Sequence, residues 1–187
     1  MRGISKPLTL LCITFSLVVS AQGDLNKTSG FVESFGEVIS GEIVVNQTKN
    51  TITVKQNGMI TLLHAKNVQK IVAVENGREQ VYYTGAFGMN KSAIFKALSD
   101  GGMPLLYREG VKFSEFDEIV YDPFFFIKDN QIFSLGNSKK EIYEIFDGHF
   151  QKDMEAFSKE NKIDFKSIEG LTALFNHYNA IAMMAAN

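Results

Sequence analysis

The chain has 187 residues, 45% of them apolar and 21% charged, with 19 Lys+Arg against 21 Asp+Glu, 15 Gly, 3 Pro, one Cys and no Trp. A single domain of this size buries roughly 70% of its unfolded surface, and the composition excludes collagen-like, low-complexity, disordered and disulfide-scaffold classes. The formal charge of −2 lacks the basic excess or stripe of a nucleic-acid-binding domain.

Residues 1–21 read as a secretory signal peptide. Arg2 and Lys6 supply a positive start, Leu8 to Val19 an apolar run, and Val19-Ser20-Ala21 the small residues before a cut at Gln22. The run is too short to span a bilayer, which takes about 20 apolar residues. Cys12 does not read as a lipoprotein cysteine, because the residue before it is Leu11, which is not small, so Cys12 belongs to the removed segment. The expected mature chain, Gln22 to Asn187, then holds no cysteine, carries 17 Lys+Arg against 21 Asp+Glu, and folds without disulfides. No later stretch reaches 18 apolar residues, so no transmembrane helix is expected after signal removal.

Gln22 to Ser34 is polar and glycine-containing and reads as a partly ordered leader, residues 22–34. A single α+β domain is expected over 35–187, its sheet at about 35–135 and its helices at about 138–184. Glu42 to Asn46, Thr51 to Gln56 and Met59 to Leu63 are short strand-like runs, and Thr51-Ile52-Thr53-Val54-Lys55 alternates polar with apolar. Asn57-Gly58 is the strongest hairpin signal in the chain, since a type I′ turn needs positive φ at both central residues. Val68 to Glu75 and Gln80 to Phe87 flank a second turn at Asn76-Gly77. Lys91 to Leu98 has apolar residues at helical spacing, yet Asp100-Gly101-Gly102 and Leu105-Leu106-Tyr107 make it the first arm of a hairpin, and strand is preferred. Phe124 to Ile127 and Ile132 to Leu135 pair around Asp129-Asn130, with Pro123 tolerated ahead of the strand.

After Gly136 the period changes from two to 3.6. Ser138 and Glu141 form a capping-box pattern, followed by Ile142, Ile145 and Phe146 on one face. Phe150, Met154 and Phe157 mark a second helix. A third, starting near Asp164, carries Ile168, Leu171, Leu174, Phe175, Tyr178 and Ile181 on one side. The fold class is α+β: an antiparallel β-meander or open barrel-like sheet followed by a C-terminal layer of about three helices.

Motifs that carry chemistry are scarce. His64, His149 and His177 have no second ligand at metal spacing, and no G-x-S-x-G, H-E-x-x-H, Walker or G-x-G-x-x-G pattern occurs. No cofactor and no metal are expected. Glu115, Asp117 and Glu118 gather carboxylates near Tyr107, Arg108 and Glu109, a pattern that a solvated acidic loop also produces. Phe124-Phe125-Phe126 offers inward aromatics for a ligand pocket, but strand alternation puts Phe125 on the face opposite Phe124 and Phe126, so core packing is the simpler role. Phe124, Phe126, Phe133, Tyr107 and Arg108 are the candidate ligand or partner surface. Met183 and Met184 near the chain end could also dock a partner.

Several segments taken together, Ser20-Ala21-Gln22, Gly41-Glu42-Ile43, Asn67-Val68-Gln69-Lys70-Ile71, Leu105-Leu106-Tyr107-Arg108, Ser138-Lys139-Lys140-Glu141 and Tyr178-Asn179, resemble uncharacterised exported envelope proteins of Bacteroidota. The resemblance implies location and architecture, periplasmic, outer-membrane-associated or extracellular, and brings no catalytic residues. The expected function is a non-catalytic exported domain that binds a protein partner or envelope component. The alternatives are a binder of a small apolar ligand between sheet and helices, and an unrecognised hydrolase.

Overall fold

A computed structural model of the chain describes residues 29–34, 36–87, 91–112 and 120–186. The expected signal peptide, residues 22–28 of the expected leader, and Glu115, Asp117 and Glu118 lie outside the described residues. Ten strands, β1 (Ser29–Ser34), β2 (Glu37–Asn46), β3 (Thr51–Gln56), β4 (Met59–His64), β5 (Lys70–Glu75), β6 (Arg78–Phe87), β7 (Lys91–Ala97), β8 (Leu105–Tyr107), β9 (Phe124–Lys128) and β10 (Gln131–Ser134), form one antiparallel sheet. Three helices follow: α1 (Lys139–Ile145), α2 (Gln151–Glu160) and α3 (Ile168–Ala185). The α+β class is as expected, and the sheet is open, with β10 and β4 at its two edges. Among the described residues no helix is long and apolar enough to cross a membrane.

The turns form where local chemistry demands them. Asn57 and Gly58 have φ of 50° and 80°, Asn76 and Gly77 of 51° and 74°, and Asp129 and Asn130 of 50° and 60°, left-handed values that suit two-residue hairpins. Lys91 to Ala97 is strand, its apolar spacing overridden by pairing with β6 and β8. Two features are set by partners distant in the chain. Ser29–Ser34, the last six residues of the expected partly ordered leader, form β1, paired on one side with β2 and on the other with β5. The sheet order β10-β9-β8-β7-β6-β5-β1-β2-β3-β4 inserts β1 as the seam between two meanders. Neither follows from local pattern, since β1 offers only Phe31 and Val32 as apolar residues and is held by partners distant in the chain.

The register divides the core. One face runs through Ile39, Val32, Ile71, Tyr82, Lys96, Tyr107 and Phe124, directly opposite one another from strand to strand. At its β1–β7 end this face curls around Val32, Ile43, Ile52, Ile71 and Ile94, and at its β8–β10 end it packs against the helices through Leu105 and Phe126. The opposite face is buried where Phe95, Leu106 and Phe125 meet, with Phe95 and Phe125 edge-on at 5.0 Å. Over β2–β4 that second face is bare among the described residues.

Helices α1 and α3 begin with side-chain caps. Ser138 and Glu141 satisfy one another's amides at the start of α1, as the sequence pattern implied, and the Ser167 hydroxyl accepts from the Gly170 amide at the start of α3. Phe150 is the residue before α2, and the third helix starts at Ile168, after a turn that begins at Asp164. Asn179 fastens α3 to the β7–β8 turn: its Oδ1 accepts from the Met103 amide at 2.8 Å, and its Nδ2 donates to the Asp100 and Met103 carbonyls at 3.1 and 3.0 Å. Tyr178 beside it donates to Asp147 at 3.1 Å, and burial together with that carboxylate pushes its hydroxyl up to about 12.

Candidate functional site

Of the five residues singled out in the sequence, Tyr107, Phe124, Phe126 and Phe133 lie on one face of the sheet, and Arg108 is engaged elsewhere. Phe126 is buried under the helices and stacked at 5.5 Å on Phe133, which is 41% exposed. Tyr107 meets Phe124 edge-on at 5.5 Å and donates its hydroxyl to Glu109. Arg108 is a structural tie. Its Nη1 donates to Asn50 Oδ1 and to the Ile94 carbonyl, both at 2.7 Å, and its Nη2 to the Gln47 carbonyl at 2.9 Å. Burial pulls the guanidinium below its usual pKa.

Phe124 lines a cavity. A cleft of about 370 Å³ opens between sheet and helices, with Phe124, Leu135, Phe165 and Leu171 as apolar walls and Asn137 and Lys166 among its polar residues. That volume falls in the range of small-molecule sites. A second cleft, about 590 Å³, lies where β10 crosses β6 and is lined by Glu33, Lys70, Tyr83, Thr84 and Gln131 among others.

At this second cleft a polar cluster forms that sequence spacing could not reveal. The Tyr83 hydroxyl donates to Asp100 Oδ1 at 2.6 Å, Lys70 Nζ reaches Asp100 Oδ2 at 3.4 Å, and the same ammonium lies 5.2 Å from the centre of the Tyr83 ring. Burial pushes the Asp100 carboxyl up, but the Tyr83 hydroxyl, the Gly101 amide and the Lys70 ammonium outweigh it and hold Asp100 below the usual carboxylate value. Burial likewise lowers Lys70, and its Tyr83 and Asp100 partners more than reverse that, leaving it raised. The Asp100 contribution to stability is therefore present above its unfolded pKa near 3.8 and disappears as pH falls through the lower folded value. Asp100→Asn should cost stability at pH 7, and the gap to the unaltered chain should shrink as the pH is lowered from 7 to 3, past the unfolded value near 3.8. Urea midpoints at the two pH values check this, and a gap of equal size at both would refute it.

The histidines sit apart. His64 is exposed on β4, His149 packs on Phe150 and His177 stacks on Phe157, each of these ring pairs 3.9 Å apart. Among the described residues no three His, Cys, Asp or Glu side chains gather as metal ligands would.

The feature the sequence underplayed is the β1–β4 end of the sheet. On its bare face Val44, Thr53 and Leu62 line up across β2, β3 and β4, and Ile60 stands beside them, with Val44 57%, Leu62 58% and Ile60 69% exposed. Met59, on the other face of β4, is 69% exposed as well. The signal was the run Met59-Ile60-Thr61-Leu62-Leu63-His64, apolar on both faces and free of charge, which reads as an ordinary strand until its place at an edge is known. Comparison of the chain with protein-family models, with curated proteins and with solved structures finds no match.

Proposed function

We propose that the chain is a non-catalytic exported domain, periplasmic or outer-membrane-associated, that binds a protein partner of the envelope through the β4 edge and the bare face beside it. The observation that carries this reading is an apolar edge strand whose large side chains stand in solvent on both faces. Edge strands are ordinarily blunted by Lys, Pro, a bulge or a covering loop, and contiguous exposed apolar surface marks an interaction site. Capture of envelope proteins on the immobilised chain tests it. A protein retained by the unaltered chain should be lost when Ile60→Lys and Leu62→Lys are introduced together, and identical capture by both chains would overturn the reading.

The cleft beneath the helices favours a second reading, the binding of a small apolar ligand against Phe124, Leu135 and Leu171. Because the chain has no tryptophan, Phe124→Trp places a single reporter on the cavity wall. A fatty acid that enters the cleft should shift its emission saturably, and an unchanged spectrum would count against this reading.

A further inference from the structure

Resting on the reading of the β4 edge as a partner surface, the geometry points to a second copy of this chain as the partner, joined by antiparallel pairing of β4 with β4 about a two-fold axis at Thr61. The hairpin fixes which backbone groups are free. Asn57-Gly58 is a two-residue turn with both φ positive, and Gln56 and Met59 are the directly opposed residues that close it. In such a turn the closing pair is hydrogen-bonded, and pairs alternate from there. The N–H and C=O groups of Met59, Thr61 and Leu63 therefore point to β3, while those of Ile60 and Leu62 point away from the sheet at its last strand.

A two-fold axis at Thr61 sets Ile60 opposite Leu62 of the second copy, and Leu62 opposite its Ile60. Both residues present free backbone groups, so these become hydrogen-bonded pairs and Thr61 faces its own copy as a pair without hydrogen bonds. The alternative of a one-residue slip would turn each strand's bare face toward the other's core face. With the axis at Thr61, side chains agree on both faces. On the bare face the row Val44, Thr53, Leu62 continues into Ile60, Lys55 and Glu42 of the second copy. On the core face Leu63 meets Met59, and Thr61 meets Thr61. No charge lies in the strand, and the nearest, Lys55, stands 3.9 Å from Glu42 in its own chain and faces no like charge across the axis. A foreign strand could use the free backbone groups, but the strand's chemical symmetry about Thr61 is what a copy of itself satisfies. Six residues of pairing make a small interface, so association is expected at micromolar rather than nanomolar concentration.

Sedimentation of the full chain from about 1 to 500 µM should show a monomer passing to a dimer, and Ile60→Lys with Leu62→Lys should hold it monomeric throughout. The register is read by disulfide trapping in a Cys12→Ser background. In an antiparallel pair without hydrogen bonds the Cα atoms lie about 4.5 Å apart, within disulfide reach. Thr61→Cys should therefore link two chains on mild oxidation, whereas Ile60→Cys alone and Leu62→Cys alone should link at least ten-fold more slowly. Equal rates at the three positions would overturn the proposed axis. A monomer at every concentration with no trapped Thr61→Cys dimer would overturn the second copy itself. The partner reading fails separately, by identical envelope-protein capture with and without the two lysines.

Discussion

Gly30→Ala is expected to destabilise the fold by about 3 kcal/mol or more, a larger effect than a methyl group usually has even in a core. A Cβ built on Gly30 overlaps the Val72 carbonyl oxygen and lies 3.0 Å from both the Val72 carbonyl carbon and the Ala73 Cα. All three atoms are backbone of β5, so no side chain can swing aside. Gly41, directly opposite Gly30 on β2, is confined in the same way, its added Cβ falling 2.6 Å from the Lys55 carbonyl oxygen. Gly30 thus lets β1 lie close on β5, and Gly41 lets β2 lie close on β3. Because β1 is the strand that joins the β2–β4 meander to the β5–β10 meander in the ladder of described strands, pushing it off β5 opens the sheet at its seam. Gly148→Ala is the control, since nothing lies within 4 Å of a Cβ there, and it should change stability by less than about 0.5 kcal/mol. Urea unfolding of both variants decides the matter: similar midpoints would show that the seam tolerates the methyl.

What the sequence made legible was what neighbours in the chain decide. Asn57-Gly58, Asn76-Gly77 and Asp129-Asn130 turn because those residues accept positive φ, and Ser138 caps because Glu141 is three residues on. Strand alternation alone put Phe125 on the opposite face from Phe124 and Phe126, and the sheet has it so. What the sequence hid was decided by distant partners. Six residues with two apolar side chains became β1 because β2 and β5 supply its hydrogen bonds. Which apolar side chains are covered was decided in the same way. Phe126 is covered by helices whose docking no local pattern encodes, while the exposure of Ile60 and Leu62 depends on β4 having no neighbour beyond it. Lys70, Tyr83 and Asp100 meet only because β5 and β6 pair and the turn after β7 folds over them. The proposals of export and of an envelope partner rest on the N-terminal pattern and on the exposed β4 edge.

Arg108→Ala is expected to cost about 3 kcal/mol, because it removes a partly buried charged donor set shared by three acceptors, Asn50 Oδ1 and the Ile94 and Gln47 carbonyls. β8 is three residues long and pairs with β7 at Lys96 and Ala97 only. Further back along β7, at Ile94, the ladder toward β8 has run out, and the Arg108 guanidinium takes the carbonyl that a longer strand would have bonded. The same group reaches the β2–β3 turn through the Gln47 carbonyl and Asn50 Oδ1, while Gln47 Nε2 donates to the Ile94 carbonyl at 3.2 Å and the Ile94 amide donates to Asn50 Oδ1 at 3.2 Å. One side chain therefore closes the curled end of the sheet over Ile52 and Ile94. Lysine is a poor substitute, since a single ammonium cannot hold the fork of donors that spans these acceptors, so Arg108→Lys should recover less than half of the loss. Faster hydrogen exchange at the Ile94 amide should accompany the lower urea midpoint, because that amide shares its acceptor with the guanidinium. A double-mutant cycle with Asn50→Ala should show coupling of about 1 kcal/mol, as expected for side chains in one network. An Arg108→Ala chain that kept its midpoint but lost capture of an envelope protein would move this residue from the closure of the sheet to the partner surface.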